Sequence, residues 1–253
     1  MLLPCLEGII ATEILGRSIE YLYTKETKSS TEIENETISP DKMKQFYRIL
    51  KTSGTINLSK QRLLSIQNNI VRSKQKDTDY RNEEIYVGEI RYNWQNGLEE
   101  NIHFIGPPYQ LVESMMTGLL EMHEMMLLDN SLPAMMHATI LAFGFVYIHP
   151  FSDGNGRIHR YLIHDVLKSR LAEYHFIIPV SAAILQRNQE YDAVLETISK
   201  PIMALIEYDL DETDHHITIK NDLNYLYRYP DFTEHTLFLY KMMEASISED
   251  LVG

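Results

Sequence analysis

The sequence contains a single cysteine, Cys5, among 253 residues. A disulfide within the chain and a cysteine-based metal cluster are therefore excluded, and the composition fits a reducing compartment. Basic residues are also scarce, because 23 lysines and arginines stand against 36 aspartates and glutamates and leave a formal net charge of −13. Without a basic stripe to neutralise phosphates, the sequence argues against nucleic-acid binding.

Long apolar runs are missing as well. No stretch approaches the roughly 18 apolar residues of a membrane-spanning helix. The apolar start, MLLPCLEGII, lacks the basic residues that open a secretory signal, and Glu7 and Glu13 interrupt the apolar run that begins there. We therefore expect a cytoplasmic protein that does not bind a membrane. The length allows one large domain or two small ones with a substantial core.

Residues that carry chemistry are concentrated in one stretch, HPFSDGNGRIHR, at 149–160. An apolar run precedes it and a helical pattern follows it, which predicts a tight loop between two helices. Gly154 and Gly156 allow the N–H groups of this loop to converge on one point. The start of the second helix adds its own N–H groups and the positive end of its dipole. The stretch therefore predicts a phosphate-binding site.

Other side chains in the stretch suit a reaction on a polyphosphate. Arg157 and Arg160 lie three residues apart and hence on one face of the second helix. Asp153 is a hard oxygen ligand of the kind that binds Mg²⁺ bridging phosphates. His149 can act as a general base near neutral pH. We predict a magnesium-dependent polyphosphate site in which a histidine removes a proton.

The same stretch resembles, position by position, the signature HPFx[D/E]GNGRxxR of the Fic-domain family, part of the Fic/Doc superfamily. A match at this many fixed positions is far more specific than a short glycine motif. The resemblance implies an all-α fold, a helical core with one β-hairpin over the active site. It also implies transfer of AMP from ATP–Mg²⁺ to a Ser, Thr or Tyr hydroxyl of a target protein.

The resemblance assigns roles within the site. His149 takes the proton from the target hydroxyl, Asp153 holds the metal, and the arginines hold the outer phosphates during transfer. Doc-like relatives, which transfer the γ-phosphate, have a lysine where this chain has Gly156, so the glycine favours AMP transfer. The residues expected to bind the nucleotide are Gly154, Asn155, Gly156, Arg157, Arg160, Asn188 and Tyr191.

A second part of the resemblance lies in KSSTEIENETIS, residues 28–39. Its core fits the pattern [S/T]xxxE[G/N] of an inhibitory helix, with Ser30, Glu34 and Asn35 at the fixed positions. A carboxylate can take the place of a phosphate against an arginine. We therefore predict that Glu34 holds Arg160 in an inhibited state. The alternative is an ordinary acidic helix exposed to solvent.

A change in hydrophobic period predicts one β-hairpin. The segments 85–94 and 101–106 are rich in β-branched and aromatic residues, and Asn96-Gly97 between them is a strong turn signal. In the family a hairpin at this place, the flap, binds the main chain of the target as an added strand. Trp94, near the turn, is either a target contact or part of a packed hairpin tip. The residues expected to dock the target are Gly88, Glu89, Ile90, Arg91 and Tyr92.

Helical patterns cover most of the remaining chain. We predict a short helix that starts at Ser199-Pro201, and longer helices over 6–25, 40–54, 59–74, 109–129, 133–148, 157–171, 182–199 and 233–250. These elements suggest N-terminal helices with the inhibitory segment (1–60), a core with the flap (61–205) and a helical extension (206–253). Many relatives continue into a winged-helix-like module that is not found here, so we expect a short member or a fragment.

Two other functions fit the same residues. Family members with an inhibitory glutamate can also remove AMP from a modified partner, the glutamate then positioning water. A nucleotide-sensing or target-binding module without turnover, its site blocked by Glu34, is the other alternative. The expected partners are ATP and a target protein with a hydroxyl side chain, and a homodimer is a candidate assembly.

Overall fold

The computed structural model describes residues 9–35, 39–93, 97–171, 176–211, 216–222 and 224–250. Within these ranges the backbone is mostly helical, which confirms the all-α expectation. None of the described helices is long and apolar enough to cross a membrane. The helices are α1 (Ile9–Glu32), α2 (Pro40–Lys51), α3 (Lys60–Ile70), α4 (Tyr109–Leu128), α5 (Ala134–Ile148), α6 (Asn155–Arg170), α7 (Val180–Gln186), α8 (Asn188–Met203) and α9 (Thr233–Asp250), and the strands are β1 (Tyr86–Asn93), β2 (Gly97–Ile105), β3 (Tyr208–Asp211) and β4 (His216–Ile219).

The centre of the fold is the pair α5 and α6, which enclose the loop at residues 149–154. Helix α5 is apolar on almost every side and packs against α4, α6 and α9. A helix that is hydrophobic all round is a core helix. Helix α6 is buried along most of its length and contacts α1, α2, α3 and α5. The predicted phosphate-binding loop therefore lies between the two most buried helices of the described chain.

Short polar signals set the helix starts as predicted. The Ser39 hydroxyl accepts a hydrogen bond from the amide of Lys42 at the start of α2, and Pro40 occupies the first turn. Ser59 caps α3 in the same way, 3.2 Å from the amide of Arg62. Such caps satisfy N–H groups that a helix leaves unpaired at its start.

The structure corrects several predicted elements. Helix α1 continues to Glu32, so the predicted inhibitory segment begins within the last turns of α1 and is not a separate helix. The helix predicted over 182–199 is two helices, because Arg187 leaves helical geometry at φ −126 and ψ 38. No new helix begins at Pro201, which lies in the last turn of α8. There proline removes one backbone hydrogen bond from the last turn, and the helix ends two residues later.

The hairpins also differ from the prediction. Strand β2 begins at Gly97, four residues before the predicted start at residue 101. A second antiparallel hairpin, β3–β4, pairs Tyr208 with Ile219 and was missed. YDLD does alternate apolar and polar residues, but its strands are only four residues long, which is too short for a period of two to stand out in the sequence.

Candidate active site

His149 follows directly after α5 in a left-handed backbone conformation, with φ 51 and ψ 59. Such a conformation is strained for a residue with a side chain and persists only where its surroundings hold it. Here Arg81 holds it: its Nε donates to the carbonyl oxygen of His149 at 2.8 Å, and its amide donates to that of Pro150 at 2.8 Å. The strained turn that presents the histidine is therefore fixed by an arginine 68 residues earlier.

Arg81 also joins the flap to this turn. Its Nη2 donates to the carbonyl oxygens of Pro107, at 2.5 Å, and Ile148, at 3.4 Å. Burial lowers the pKa of Arg81 to about 10, so the guanidinium stays charged at neutral pH. Arg81 carries no signal in the sequence, because an arginine in a polar loop is usually solvated.

The imidazole of His149 has one nitrogen engaged and the other available. Nδ1 lies 3.1 Å from the carbonyl oxygen of Val146, which favours a proton on Nδ1 and a lone pair on Nε2. Burial lowers the pKa of His149 to about 4, so the ring is neutral at pH 7. This tautomer and charge state suit a group that accepts a proton at Nε2.

The loop after His149 opens the N-terminus of α6. Gly154 has φ 87, and a Cβ there would stand 2.9 Å from Cγ1 of Val71, so only glycine fits. The side chain of Asn155 closes the loop on itself, bonding the amide of Phe151 at 3.1 Å and its carbonyl oxygen at 2.7 Å. The first helical bond runs from Ile158 to Gly154, so the earlier N–H groups face the open end of the helix. A helix start with N–H groups of this kind can bind an anion.

Asp77, in the loop before the flap, positions this turn from outside. Its carboxylate accepts from the amide of Ser152 at 2.9 Å and from the hydroxyl at 2.7 Å. Gln67 of α3 donates both to Asp77, at 3.0 Å, and to the carbonyl oxygen of Asp153, at 3.3 Å. Neither residue was predicted, since nothing in the sequence links positions 67 and 77 to the motif.

Asp153 has one carboxylate oxygen in use and one available. Oδ1 accepts from the amide of Gly154 at 2.5 Å and lies 3.3 Å from Nη2 of Arg157. Oδ2 is buried and has no hydrogen-bond partner among the described residues. The described residues hold no group of three or more metal-binding side chains. Asp153 therefore fits Mg²⁺, which binds through one or two carboxylates, water and substrate phosphates.

The two arginines of the motif are almost fully buried but have different partners. Nη1 of Arg157 donates to the carbonyl oxygen of Ile70 at 3.1 Å. Arg160 donates from Nε to the Ser30 hydroxyl at 2.8 Å and from Nη2 to the Ser30 carbonyl oxygen at 2.6 Å. Nη2 also lies 2.6 Å from Oε1 of Glu34. The predicted contact between α1 and Arg160 is thus present.

Burial opposes the charge on Arg160, yet its pKa is raised, chiefly because the carboxylate of Glu34 favours the cation. The same carboxylate covers the N-terminus of α6, since a Cβ built on Gly156 would stand 2.2 Å from Oε1 of Glu34. Asn35 follows with φ 52, three residues beyond the end of α1. Glycine and asparagine are the residues that tolerate this conformation, which explains the [G/N] of the pattern.

The two predicted base contacts are placed differently. Tyr191 is buried, its ring stacks on those of His159 and Phe238, and its hydroxyl interacts with Arg160. Burial raises the pKa of Tyr191 to about 12, so it is a neutral hydrogen-bonding group. Asn188 is exposed, and its amide nitrogen faces the carbonyl oxygens that end α7, at 3.1 and 3.2 Å. Only Tyr191 is joined to the arginine cluster.

Strand β1 forms the outer edge of the flap. Its one partner among the described strands is β2, with an irregularity between Val87 and Gly88. Tyr92 is 76% exposed, and Glu89 is paired with His103 at 3.1 Å. The backbone of Ile90 and Arg91 belongs to β1, whereas their side chains and the whole of Trp94 lie outside the described part of the chain.

Comparisons with known proteins agree with this architecture. A Fic family protein from Desulfovibrio desulfuricans G20 is similar in structure, with a TM-score of 0.63 and 19% identity over 97% of this chain and 69% of the other. A Fic domain containing signaling protein from Bacteroides thetaiotaomicron VPI-5482 gives 0.64 and 17%, over 94% and 89%. No curated protein matches. The family model Fic/DOC family matches residues 57–167, a span that contains His149, Asp153 and both arginines, and this part of the chain is therefore a domain of the Fic/DOC family.

Proposed function

We propose that this protein transfers AMP from ATP–Mg²⁺ to a hydroxyl side chain of a target protein, and that Glu34 inhibits the transfer. The observation that carries the proposal is the position of the Glu34 carboxylate, on Arg160 and over the N-terminus of α6. A helix N-terminus beside a buried arginine is a site for an anion. An internal carboxylate in that site supports the proposal that a nucleotide phosphate binds there.

The residues of the loop supply the binding groups. The N–H groups of Asn155 and Gly156 face the open end of α6 and would donate to phosphate oxygens. Arg157 and Arg160 would neutralise the outer phosphates, Arg160 after Glu34 has left it. Mg²⁺, held through Oδ2 of Asp153, would add positive charge on the same phosphates.

The chemical step needs one proton acceptor. Nε2 of His149 would take the proton of the target hydroxyl as that oxygen bonds to the α-phosphorus. The bond from phosphorus to the bridging oxygen breaks, and pyrophosphate leaves with the electron pair. Because the pKa of His149 is about 4, the ring is a weak but always available base. Most of the rate enhancement would therefore come from positioning and charge stabilisation.

The target hydroxyl must be held still during this step, and the flap edge offers a way. Strand β1 has a second edge with no strand beside it among the described residues. A peptide segment can add to such an edge through main-chain hydrogen bonds. Arg81 joins the base of the flap to the turn that carries His149, so a peptide on β1 would be fixed relative to the base.

Transfer is tested with wild type, Glu34→Gly and the double variant Glu34→Gly/Arg160→Ala, each incubated with ATP–Mg²⁺ and cell lysate. Intact-mass measurement reports AMP on the protein itself and on its targets. A charge-assisted contact is worth about 1.5–3 kcal/mol, so freeing Arg160 should raise transfer roughly ten- to a hundredfold. The double variant should lose that gain.

A matched control is Glu32→Gln, on the exposed side of the same helix, where Glu32 pairs with Lys28 at 3.7 Å. It should behave as wild type. Equal transfer by wild type and Glu34→Gly would contradict inhibition by Glu34. If no variant transfers AMP, a binding module without turnover is favoured. Release of AMP from a modified target would favour the hydrolase.

A further inference from the structure

Helices α1 and α6 run antiparallel with their contacts in a fixed register. The paired positions advance by three or four residues along α1 and by four along α6, so each helix uses one face. The pairs are Tyr23 with Lys168, Glu26 with His164, Ser30 with Arg160, and Glu34 with Gly156. The contact of Glu34 is thus the last in a series of paired positions that begins at Tyr23, about three turns earlier.

Glu26 is the most deeply buried acid in this register, with 1% exposure. Its Oε2 accepts from the amide of Ser181 at 2.9 Å, and its Oε1 accepts from the Ser181 hydroxyl at 2.5 Å. Nε2 of His164 lies 3.1 Å from Oε1. A buried carboxylate is tolerated only where such partners surround it. Sliding or turning α1 would remove Glu26 from all of them.

Glu34 is less firmly fixed by its surroundings than Glu26. It lies two residues beyond the last helical residue of α1, and its side chain is 33% exposed. Residues at a helix end fray, so the ion pair of Glu34 with Arg160 does not by itself fix where α1 lies along α6. The place of Glu34 must therefore be set further up the helix.

We infer that Glu26 is a positioning residue, which with Ser181 and His164 fixes the register of α1 on α6 and so delivers the Glu34 carboxylate to Arg160. The inhibitory consequence rests on the proposed function, whereas the positioning does not. Glu26 touches neither the phosphate site nor the described flap; it acts through Glu34.

The test uses Glu26→Ala in the wild-type protein and in the Glu34→Gly background, with Glu32→Gln as the exposed control on the same helix. Hydrogen exchange of amides in residues 24–35 reports the docking of α1. We expect exchange there to rise about tenfold or more in Glu26→Ala, because a local opening loses its main constraint. Transfer should rise about as much as in Glu34→Gly, roughly tenfold or more.

The Glu34→Gly background separates positioning from general damage. If Glu26 acts through Glu34, then Glu26→Ala leaves the transfer rate of Glu34→Gly unchanged, whereas a merely structural role would lower the rate in both backgrounds. Unchanged exchange in a folded Glu26→Ala protein overturns the inference. Faster exchange with no transfer in any variant supports the positioning and instead contradicts the proposed function. If Glu26→Ala fails to fold, Ser181→Ala replaces it, because this variant keeps the carboxylate and removes one donor. The same results then support or overturn the inference.

Discussion

The carboxylate of Glu34 lies where a side chain on Gly156 would begin, with 2.2 Å between Oε1 and an ideal Cβ. The backbone of Gly156 is not in the left-handed region, so conformation alone does not require glycine there. Glycine is required at this position because a larger side chain would fill the space above the N-terminus of α6. Glu34 fills that space in the structure, and a phosphate would fill it in the proposed reaction.

Gly156→Ala should therefore displace Glu34 without activating the protein. The methyl group pushes away the end of a flexible side chain, which costs little, and alanine favours the helix by up to about 1 kcal/mol. The same methyl group narrows the phosphate site, so ATP should bind more weakly and transfer should not rise. Calorimetric titration with ATP, hydrogen exchange at residues 30–35 and intact mass together check this.

Glu34→Gly is the comparison, because it empties the same space without adding an atom. A Gly156→Ala protein that transfers AMP as fast as Glu34→Gly would show that the nucleotide does not use the space above Gly156. Unchanged hydrogen exchange at the end of α1 would show that Glu34 does not occupy the space above Gly156 in solution.

A proline scan of β1 tests target docking. Proline cannot donate a backbone hydrogen bond, so proline at positions whose N–H faces away from β2 should reduce target modification. Alanine at the same positions keeps the N–H and should have a smaller effect. ATP affinity, measured in parallel, should not change. Normal target modification by every proline variant from Gly88 to Tyr92 would exclude docking by main-chain pairing.

His149→Ala tests the proton acceptor. The imidazole acts on the incoming hydroxyl, so its loss should reduce transfer by roughly 10²–10⁴-fold and leave ATP binding nearly intact. The background for this test is Glu34→Gly, in which transfer is high enough to measure the loss. Transfer by His149→Ala within a few-fold of its parent would remove the histidine from the mechanism.

The motif could be predicted because its information is local. Residues 149–160 contain the loop, the helix start, the glycines and the charged groups in one continuous stretch. The contact between Glu34 and Arg160 spans 126 residues, and no spacing rule reaches that far. It was predicted only because the end of α1 resembles a known inhibitory pattern.

The supporting residues could not be found in this way. Arg81 and Asp77 lie in a polar segment whose composition is the same whether the loop is solvated or buried, and only tertiary contacts decide between them. Glu26 did leave a signal, since it falls on the helical face of Leu22 and Ser30, both of them buried. A carboxylate on a buried face predicts that a polar partner lies opposite, but the pattern does not identify which residue it is.

Acid should destabilise this protein before its carboxylates titrate. Burial lowers the pKa of four core histidines from 6.5, to about 3 for His159 and to about 4 for His123, His137 and His235. The rings of His123 and His137 also share a hydrogen bond of 2.8 Å. Between these values and pH 6.5 the unfolded chain binds protons that the native protein does not bind. The free energy of unfolding is therefore highest above about pH 6.5. It falls as the pH falls, by about 1.4 kcal/mol per pH unit for each such histidine.

Urea unfolding at pH 7.5, 6 and 5 measures this slope. His235→Gln should reduce the slope, whereas equal stability at pH 7.5 and 5 would show that the rings are protonated or open to solvent in the native state.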